Sequence, residues 1–377
     1  MASLNPPPSL REARMGDCAA VVALMQRNGL VVNSTTRRWA WLWHDNPAVA
    51  GMRESMPIGW VLENGNGIVG YLGNLPLAGR FNGKMLRIAA ARGFAVDPGT
   101  RGNSLRLAAA FFSQKGADLL LNTSANAAAA SVFGLCKAGV LPQADYNNVL
   151  LWVLKSRPFA ESYLRKFGKA PWLAKLAAPA LAVPIAAEGM VRRRALRSDS
   201  SGHIVDVLEP GKVGEEFDVL WAAIVQTRPN RLLADRSAAT LRWHFNRDHA
   251  PERHASLLAL RVGGTLAGYA AITRENSEQL GLKRSRISDL VAKDDDVGVI
   301  DALLAASYEY ASAEGSHALE LVGFPRVVRE RALRGNPHSY RLPSQPYWYK
   351  ALDPTLASDL EQERAWYGSP YDGDVTL

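Results

Sequence analysis

A chain of 377 residues, 47 % of them hydrophobic, is long enough for two or three domains and too apolar to remain disordered. Its formal charge of +8 favours acidic partners such as a phosphate-bearing cofactor or an anionic membrane surface, and no nucleic-acid module stands out that would turn the charge toward DNA or RNA. Cys18 and Cys136 have neither metal-ligand spacing nor the pattern of a disulfide framework, so a reducing, cytoplasmic setting is expected.

Residues 1–10 are rich in proline and lack the basic start and apolar core of a secretion signal. A short strand is expected over 10–13, then a helix capped by Asp17 with Val21, Val22, Leu24 and Met25 on its apolar face. The segment 38–43 is aromatic and ends in the turn residues His44-Asp45-Asn46-Pro47. Its tryptophans, Trp39, Trp41 and Trp43, would share one face if extended and spread around a helix; core packing is the expectation, a sugar-stacking wall the alternative. Strands over 58–62 and 68–72 flank Asn64-Gly65-Asn66-Gly67 as a hairpin. A strand over 86–96, a loop over 98–104 and a helix over 105–115 stopped by Gly116 follow. A buried strand at 119–122, a helix at 125–137 and a last strand at 149–154 complete this half.

The order then repeats. Residues 217–225 read as a helix, 241–245 echo the aromatic segment, and 257–262 and 265–271 form a hairpin about Gly263-Gly264. A strand at 285–292, a helix at 300–314 stopped by Gly315, a strand at 318–322, a helix at 327–333 and a strand at 347–350 close the second half. Gly70-Tyr71 and Gly268-Tyr269, Gly116 and Gly315, Trp41 and Trp243, Val96 and Val291, and Trp152 and Trp348 recur in one order, about 200 residues apart, which indicates duplication. The expected division is 1–158, a linker at 159–201 and 202–377. Within the linker, 172–191 is apolar but interrupted by Lys175, Pro179, Pro184 and Glu188. A helix packed on the protein is expected rather than a span; a membrane-surface hairpin rimmed by Arg192, Arg193 and Arg194 is the sharper reading.

Gly93-Phe94-Ala95-Val96, then Asp97-Pro98, then Arg101-Gly102-Asn103-Ser104-Leu105-Arg106 resemble the cofactor-binding core of the GCN5-related N-acetyltransferases (GNAT). In that family a strand ending in Val-x-Pro leads through an Arg/Gln-x-x-Gly-x-Gly/Ala loop into a helix. The resemblance implies an α/β (α+β) fold of two tandem GNAT-like domains, each a mixed, mostly antiparallel sheet flanked by helices. It implies acetyl-CoA or a longer acyl-CoA as cofactor, with its pyrophosphate at a helix N-terminus where backbone N–H groups and the helix dipole favour an anion. Phe94 and Val96 would lie along the pantetheine arm, and Arg101, Gly102, Asn103, Ser104 and Arg106 around the pyrophosphate. Ser104 and Arg106 stand where the family carries glycine and a small residue. Asn126 matches the family's helix-opening asparagine; the position of its acidic tyrosine falls on Phe133, or Leu135 in another alignment, and neither donates a proton.

A general base could come from His44, Asp45, His244 or Glu63 by chemistry alone; His44, Asp45 and Asn126 form the candidate catalytic set, although a shared structural role for His44 and His244 and a simple turn at Asp45 are the plainer readings. In the second half Lys293-Asp294-Asp295-Asp296 replaces the loop, and three carboxylates repel a pyrophosphate; a solvated turn is expected there, with no metal. That half resembles the degenerate partner of tandem GNAT and FemAB-type transferases, which would shape the acceptor site. The aromatic and acidic segment 366–374 reads as a frayed end, or as a tail that folds back to set Asp372 or Asp374 beside an amine; similar tails occur in tandem GNAT-like proteins tied to polysaccharide biosynthesis. The resemblance thus implies an acyl-CoA-dependent N-acyltransferase acting on an amine, such as an amino sugar of a surface polysaccharide or its precursor. The alternatives are a FemAB-like aminoacyl transferase using tRNA, and a non-catalytic binding or scaffold protein. Peripheral contact with the inner face of a membrane through 172–197 is a further expectation.

Overall fold

Apolar runs separated by turn residues lay down two mixed sheets in the computed structural model, which describes residues 7–30, 35–50, 56–197, 204–246, 254–344 and 346–377, without the side chains of 188–197. Residues 1–6 and the side chains of Arg192, Arg193 and Arg194, expected to rim a membrane hairpin, lie outside the described residues. The first sheet opens with β1 (Ser9–Glu12); α1 (Cys18–Arg27), α2 (Thr36–Trp43) and α3 (Pro47–Ala50) precede β2 (Gly59–Asn64), which pairs antiparallel with β1. β3 (Gly67–Phe81) and β4 (Lys84–Val96) form a long hairpin whose turn places Asn82 and Gly83 at φ +49° and +74°. Two successive positive φ values match the twist of the strands, and Asn-Gly is the pair that tolerates them. β3 is therefore much longer than the strand expected over 68–72, because Asn82-Gly83 is the turn that ends it.

α4 (Ser104–Phe112) crosses over to β5 (Leu119–Asn122), which lies parallel to β4. α5 (Ala127–Leu135), β6 (Gly139–Val140) and β7 (Asn148–Val153) follow, and then the helical hairpin α6 (Ser156–Lys166) and α7 (Pro171–Arg197). The chain continues through β8 (Ile204–Leu208), α8 (Glu215–Thr227), β9 (Leu233–Ala234), α9 (Ala238–Phe245), β10 (Ala255–Val262), β11 (Thr265–Arg274), β12 (Arg284–Ala292), α10 (Val297–Ala313), β13 (Ala318–Leu321), α11 (Arg326–Arg334) and β14 (His338–Arg341), with β8 and β10–β14 in the second sheet. β15 (Trp348–Ala351) and α12 (Pro354–Asp359) end the list of strands and α-helices.

The sheet orders are β1-β2-β3-β4-β5-β15-β6, with β9 on β3, and β8-β10-β11-β12-β13-β7-β14. The two orders correspond strand for strand, but the strands beside β5 and β13 are exchanged. β7, the expected last strand of the first half, pairs with β13 and β14, and β15 pairs with β5 and β6. A division at 158 and 202 therefore cuts both sheets. Helices cover each sheet on both faces: α1 and α2 pack on one face of the first and α4 and α5 on the other, while α8 and α9 oppose α10 and α11 on the second.

The two halves meet at α2 and α9. Trp41 Nε1 donates to the Trp243 carbonyl at 3.2 Å, and Trp243 Nε1 donates to the Trp41 carbonyl at 2.9 Å. This reciprocal pair is the signature of a local two-fold relation between α2 and α9. All three tryptophans of α2 are buried, and Trp43 Nε1 donates to the Asn74 carbonyl, so they pack the core and form no open stacking wall. α7 turns Ala174 and Ala178 inward, and Ala178 and Ala182 pack with Ala160 of α6. No helix among the described residues is long and apolar enough to cross a membrane.

Candidate functional site

The apolar sequence of β4 is bent by one glycine, and that bend makes an opening in the first sheet. β4 pairs with β5 only from Ile88–Leu119 to Ala90–Leu121. Beyond Ala90, β4 continues along β3 to Val96 while β5 ends at Asn122, so the two parallel strands part. The β3–β4 register shifts between Tyr71–Ala95 and Gly73–Arg92, leaving an extra residue at Gly93-Phe94. Gly93 sits at φ +67°, and a Cβ there would run into Met25 Cε. A bulge of this kind frees one backbone residue from the ladder and re-aims its neighbours. Phe94 and Val96 belong to the cluster under α4 and α5, whereas Ala95 joins the cluster under α1.

The loop after β4 is tightly wound. Pro98–Asn103 forms a 3-10 helix that runs straight into α4, and the Ser104 N–H donates to the Arg101 carbonyl. Arg101 and Gly102 are exposed, and Asn103 and Ser104 half-buried. Arg106 bridges the loop and the N-terminal segment: its Nη1 donates to the Pro8 carbonyl at 2.6 Å and to Asn103 Oδ1 at 3.5 Å. Asp97 is bound by Arg27 and Asn28, which hold its carboxyl below the ordinary range. Asn126 is the N-cap of α5, its Oδ1 accepting from Ala129 N at 3.0 Å. Phe133 is buried against Phe111 and Phe112, and Leu135 is exposed. The structure thus brings Phe94, Val96, the 101–106 loop and Asn126 to one side of the opening. His44 and Asp45 are not with them: both are exposed at the end of α2, which packs on the opposite face of the sheet.

On that opposite face lies the segment 366–377, buried and threaded between the halves, so the frayed end is overturned. The reason is polar as much as apolar. In the second sheet β12 and β13 part after Ile287–Leu321, as β4 and β5 do, and β12 carries its own register shift beside Ala271–Asp289. That gap is closed by a buried cluster. Arg236 Nε and Nη2 donate to the two carboxylate oxygens of Asp289 at 2.9 and 3.0 Å, and Nη2 donates to Asp372 at 3.1 Å. Tyr269 donates to Asp289 and Ser369 to Asp372; Tyr367 donates to the Leu290 carbonyl. Farther on, Asp374 accepts from Thr123 Oγ1 at 3.0 Å and Ser124 Oγ at 2.9 Å, and Arg92 donates to the carbonyls of Asp374 and Leu377. Asp372 therefore faces a buried guanidinium of this chain and Asp374 two hydroxyls and Arg92.

His244 is buried, its Nε2 2.7 Å from Thr376 Oγ1 and its ring against Tyr371. A role shared with the exposed His44 does not hold. Glu63 accepts from Arg11 on β1. Asp295 binds Arg228 and Arg231, and Asp296 caps α10; the acidic run is an ion-paired turn and helix cap rather than only a solvated one. Among the described residues no group of three or more His, Cys, Asp or Glu side chains could hold a metal.

Burial pushes the Asp372 carboxyl up to about 6 from 3.8, against the pull of Arg236, and raises Asp374 in the same direction. A carboxyl whose pKa is higher in the folded state adds stability that is fully present below its unfolded value and is lost as pH rises through the folded one. Stability should therefore fall as pH rises from about 4 to about 6. Asp372→Asn is expected to flatten this slope by about 2–3 kcal/mol, read from urea midpoints across that range; a slope equal to that of the unaltered protein would contradict it.

The sequence signals for Arg92, Thr123, Ser124, Arg236 and Asp289 were available but unspecific: Arg92 follows the apolar run Ile88–Ala91 and Asp289 precedes Leu290-Val291-Ala292, a charge beside apolar residues that calls for a partner without naming it.

Neither a protein-family model nor a curated protein matches the sequence. Solved structures match the fold. A protein from Enterococcus faecalis, described as a conserved protein of unknown function and probable N-acyltransferase, is 9 % identical with a TM-score of 0.57, over 92 % of this chain and 72 % of its own. The GCN5-related N-acetyltransferase from Kribbella flavida is 12 % identical with a TM-score of 0.55, over 94 % and 73 %. That from Anabaena variabilis is 12 % identical with a TM-score of 0.50, over 92 % and 73 %. At these identities the likeness is one of fold: two mixed sheets flanked by helices, arranged as in GNAT-type structures.

Proposed function

We propose that this protein transfers an acyl group from an acyl-coenzyme A to an amine, at the opening between β4 and β5. The observation that supports this reading is the parting of the two strands beside the Gly93-Phe94 bulge. The unpaired edge of β4 over 91–96 offers backbone donors and acceptors suited to the amides of a pantetheine arm. Phe94 and Val96 would flank that arm, and exposed Arg101, near the start of α4, would meet the pyrophosphate. When bound, acyl-coenzyme A supplies the activated thioester.

The chain's own residues then orient and exclude. The backbone freed at the bulge is the donor available to polarise an acyl carbonyl. Phe133 closes the α5 side without a proton to give, so a neutral acceptor amine would attack, the C–S bond would break, and the proton shed by the amine would reach the departing thiolate through water, the reaction resting on positioning. Arg92, Thr123, Ser124 and Asp374, joined by hydrogen bonds, would form the hydroxyl- and carboxylate-bearing acceptor side. An amino sugar of a surface polysaccharide or its precursor is the finer form of this reading.

Calorimetry with acetyl-coenzyme A and longer acyl-coenzyme A species tests it, followed by release of free thiol in the presence of glucosamine. Binding between about 1 μM and 1 mM and amine-dependent thiol release are expected. Absence of binding at every acyl length would overturn the proposal. The closed 3-10 turn at Pro98–Asn103 and the Arg106–Pro8 contact favour a second reading, a binding protein without turnover; binding with no thiol release would support that one.

A further inference from the structure

Between Glu161 and Glu188 the sequence has no acidic residue, yet it holds Arg165, Lys166, Lys169 and Lys175. It folds into the end of α6, the bend and most of α7. Ala174, Ala178 and Ala182 recur every fourth residue and are buried, the last two packing with Ala160 of α6, while Leu181 and Ile185 border them. The helical period then turns Trp172, Leu176 and Val183 to the opposite side. These are 63 %, 72 % and 70 % exposed, and Phe167 at the bend is 63 % exposed. Tyr163 is also exposed, its ring 4.9 Å from that of Phe167.

α7 is thus apolar on two faces and covered on one. A helix in water normally hides such a face, and an uncovered patch marks an interaction surface. The rim says what kind. Lys166, Lys169 and Lys175 are exposed around the patch, Arg165 is paired with Glu161, and no carboxylate offsets the three lysines along the segment. Aromatic rings with lysines and no acid suit the headgroup region of a bilayer, where rings sit at the boundary and ammonium groups reach anionic headgroups. The helix is not long and apolar enough to span, so it would lie in the surface.

We propose that the α6–α7 hairpin docks this protein on an anionic lipid surface, inserting Phe167, Trp172, Leu176 and Val183 between headgroups. The test is cosedimentation of the full chain with phosphatidylcholine vesicles, with and without phosphatidylglycerol. Binding is expected with phosphatidylglycerol and much weaker without it. Phe167→Ser combined with Trp172→Ser, both at exposed positions, should lower binding about tenfold or more with an unchanged urea midpoint. Replacing Lys166, Lys169 and Lys175 by glutamine should cost about fivefold each and reduce the salt dependence. No binding to phosphatidylglycerol vesicles, or undiminished binding by the serine variant, would overturn the proposal. So would self-association in sedimentation velocity that the serine variant abolishes, because the face would then be covered by a second copy.

Discussion

Arg236→Ala is expected to destabilise the protein by about 3–5 kcal/mol. Arg236 is 1 % exposed and is the cation that both Asp289 and Asp372 bind. Its removal would leave two carboxylates out of water with only hydroxyl and backbone partners, Tyr269 and Ser369 among them. Burying an unpaired charge is costly enough that the carboxylates would take up protons instead. The loss should therefore be largest near neutral pH and shrink as the solution is acidified. Urea midpoints near pH 7 and pH 5 measure it. Arg236→Lys keeps one charge but cannot hold both oxygens of Asp289 and reach Asp372, so it should fall between the two. A loss below about 1 kcal/mol for alanine would mean that water enters the cluster and that it does not lock the tail in place.

Gly93→Ala is expected to reduce the proposed acyl transfer by about a hundredfold while costing only about 1–2 kcal/mol of stability. The positive φ strains any L residue there, and the new methyl group meets Met25 Cε. Met25 is flexible and can yield; the bulge cannot keep its shape without the strain being felt in Arg92 and Phe94, its neighbours along β4. A displacement of about 1 Å at a reacting centre is enough for this loss. Gly263→Ala is the matched control. Gly263 also has positive φ, but a Cβ there meets nothing within 4 Å, and it lies in the β10–β11 turn. Thiol-release rates and urea midpoints of both variants separate the effects. Equal losses of activity in the two would remove the bulge from the proposed chemistry.

Much of the fold was legible in the residues because it depends on local rules. Gly70-Tyr71 and Gly268-Tyr269 recur in strands of the same place in each sheet. The exchange of β7 and β15 was not legible. Both are short apolar strands, and alternation tells which side chains face a core but not which neighbour supplies the hydrogen bonds. The place of Phe94 and Val96 at the end of β4 was legible, because the strand expected over 86–96 ends where β4 does. The hydrogen bond of Arg106 to Pro8 was not legible, because the two residues are remote in sequence. A tail folding back was one of the two readings of 366–374, but the partners of Asp372 and Asp374 could not be named, since Arg236, Thr123 and Ser124 are remote in sequence.

The exchanged strands also bear on synthesis. A ribosome delivers β5 and β6 long before β15, which fills the place between them. Until then the first sheet carries a vacant slot lined by unpaired backbone groups, the kind of edge that recruits foreign strands. Completion must wait for contacts between segments far apart in the chain, which slows folding. The halves therefore cannot mature in succession: β7 waits for β13 and β14, and the first sheet stays unfinished until β15 has followed them.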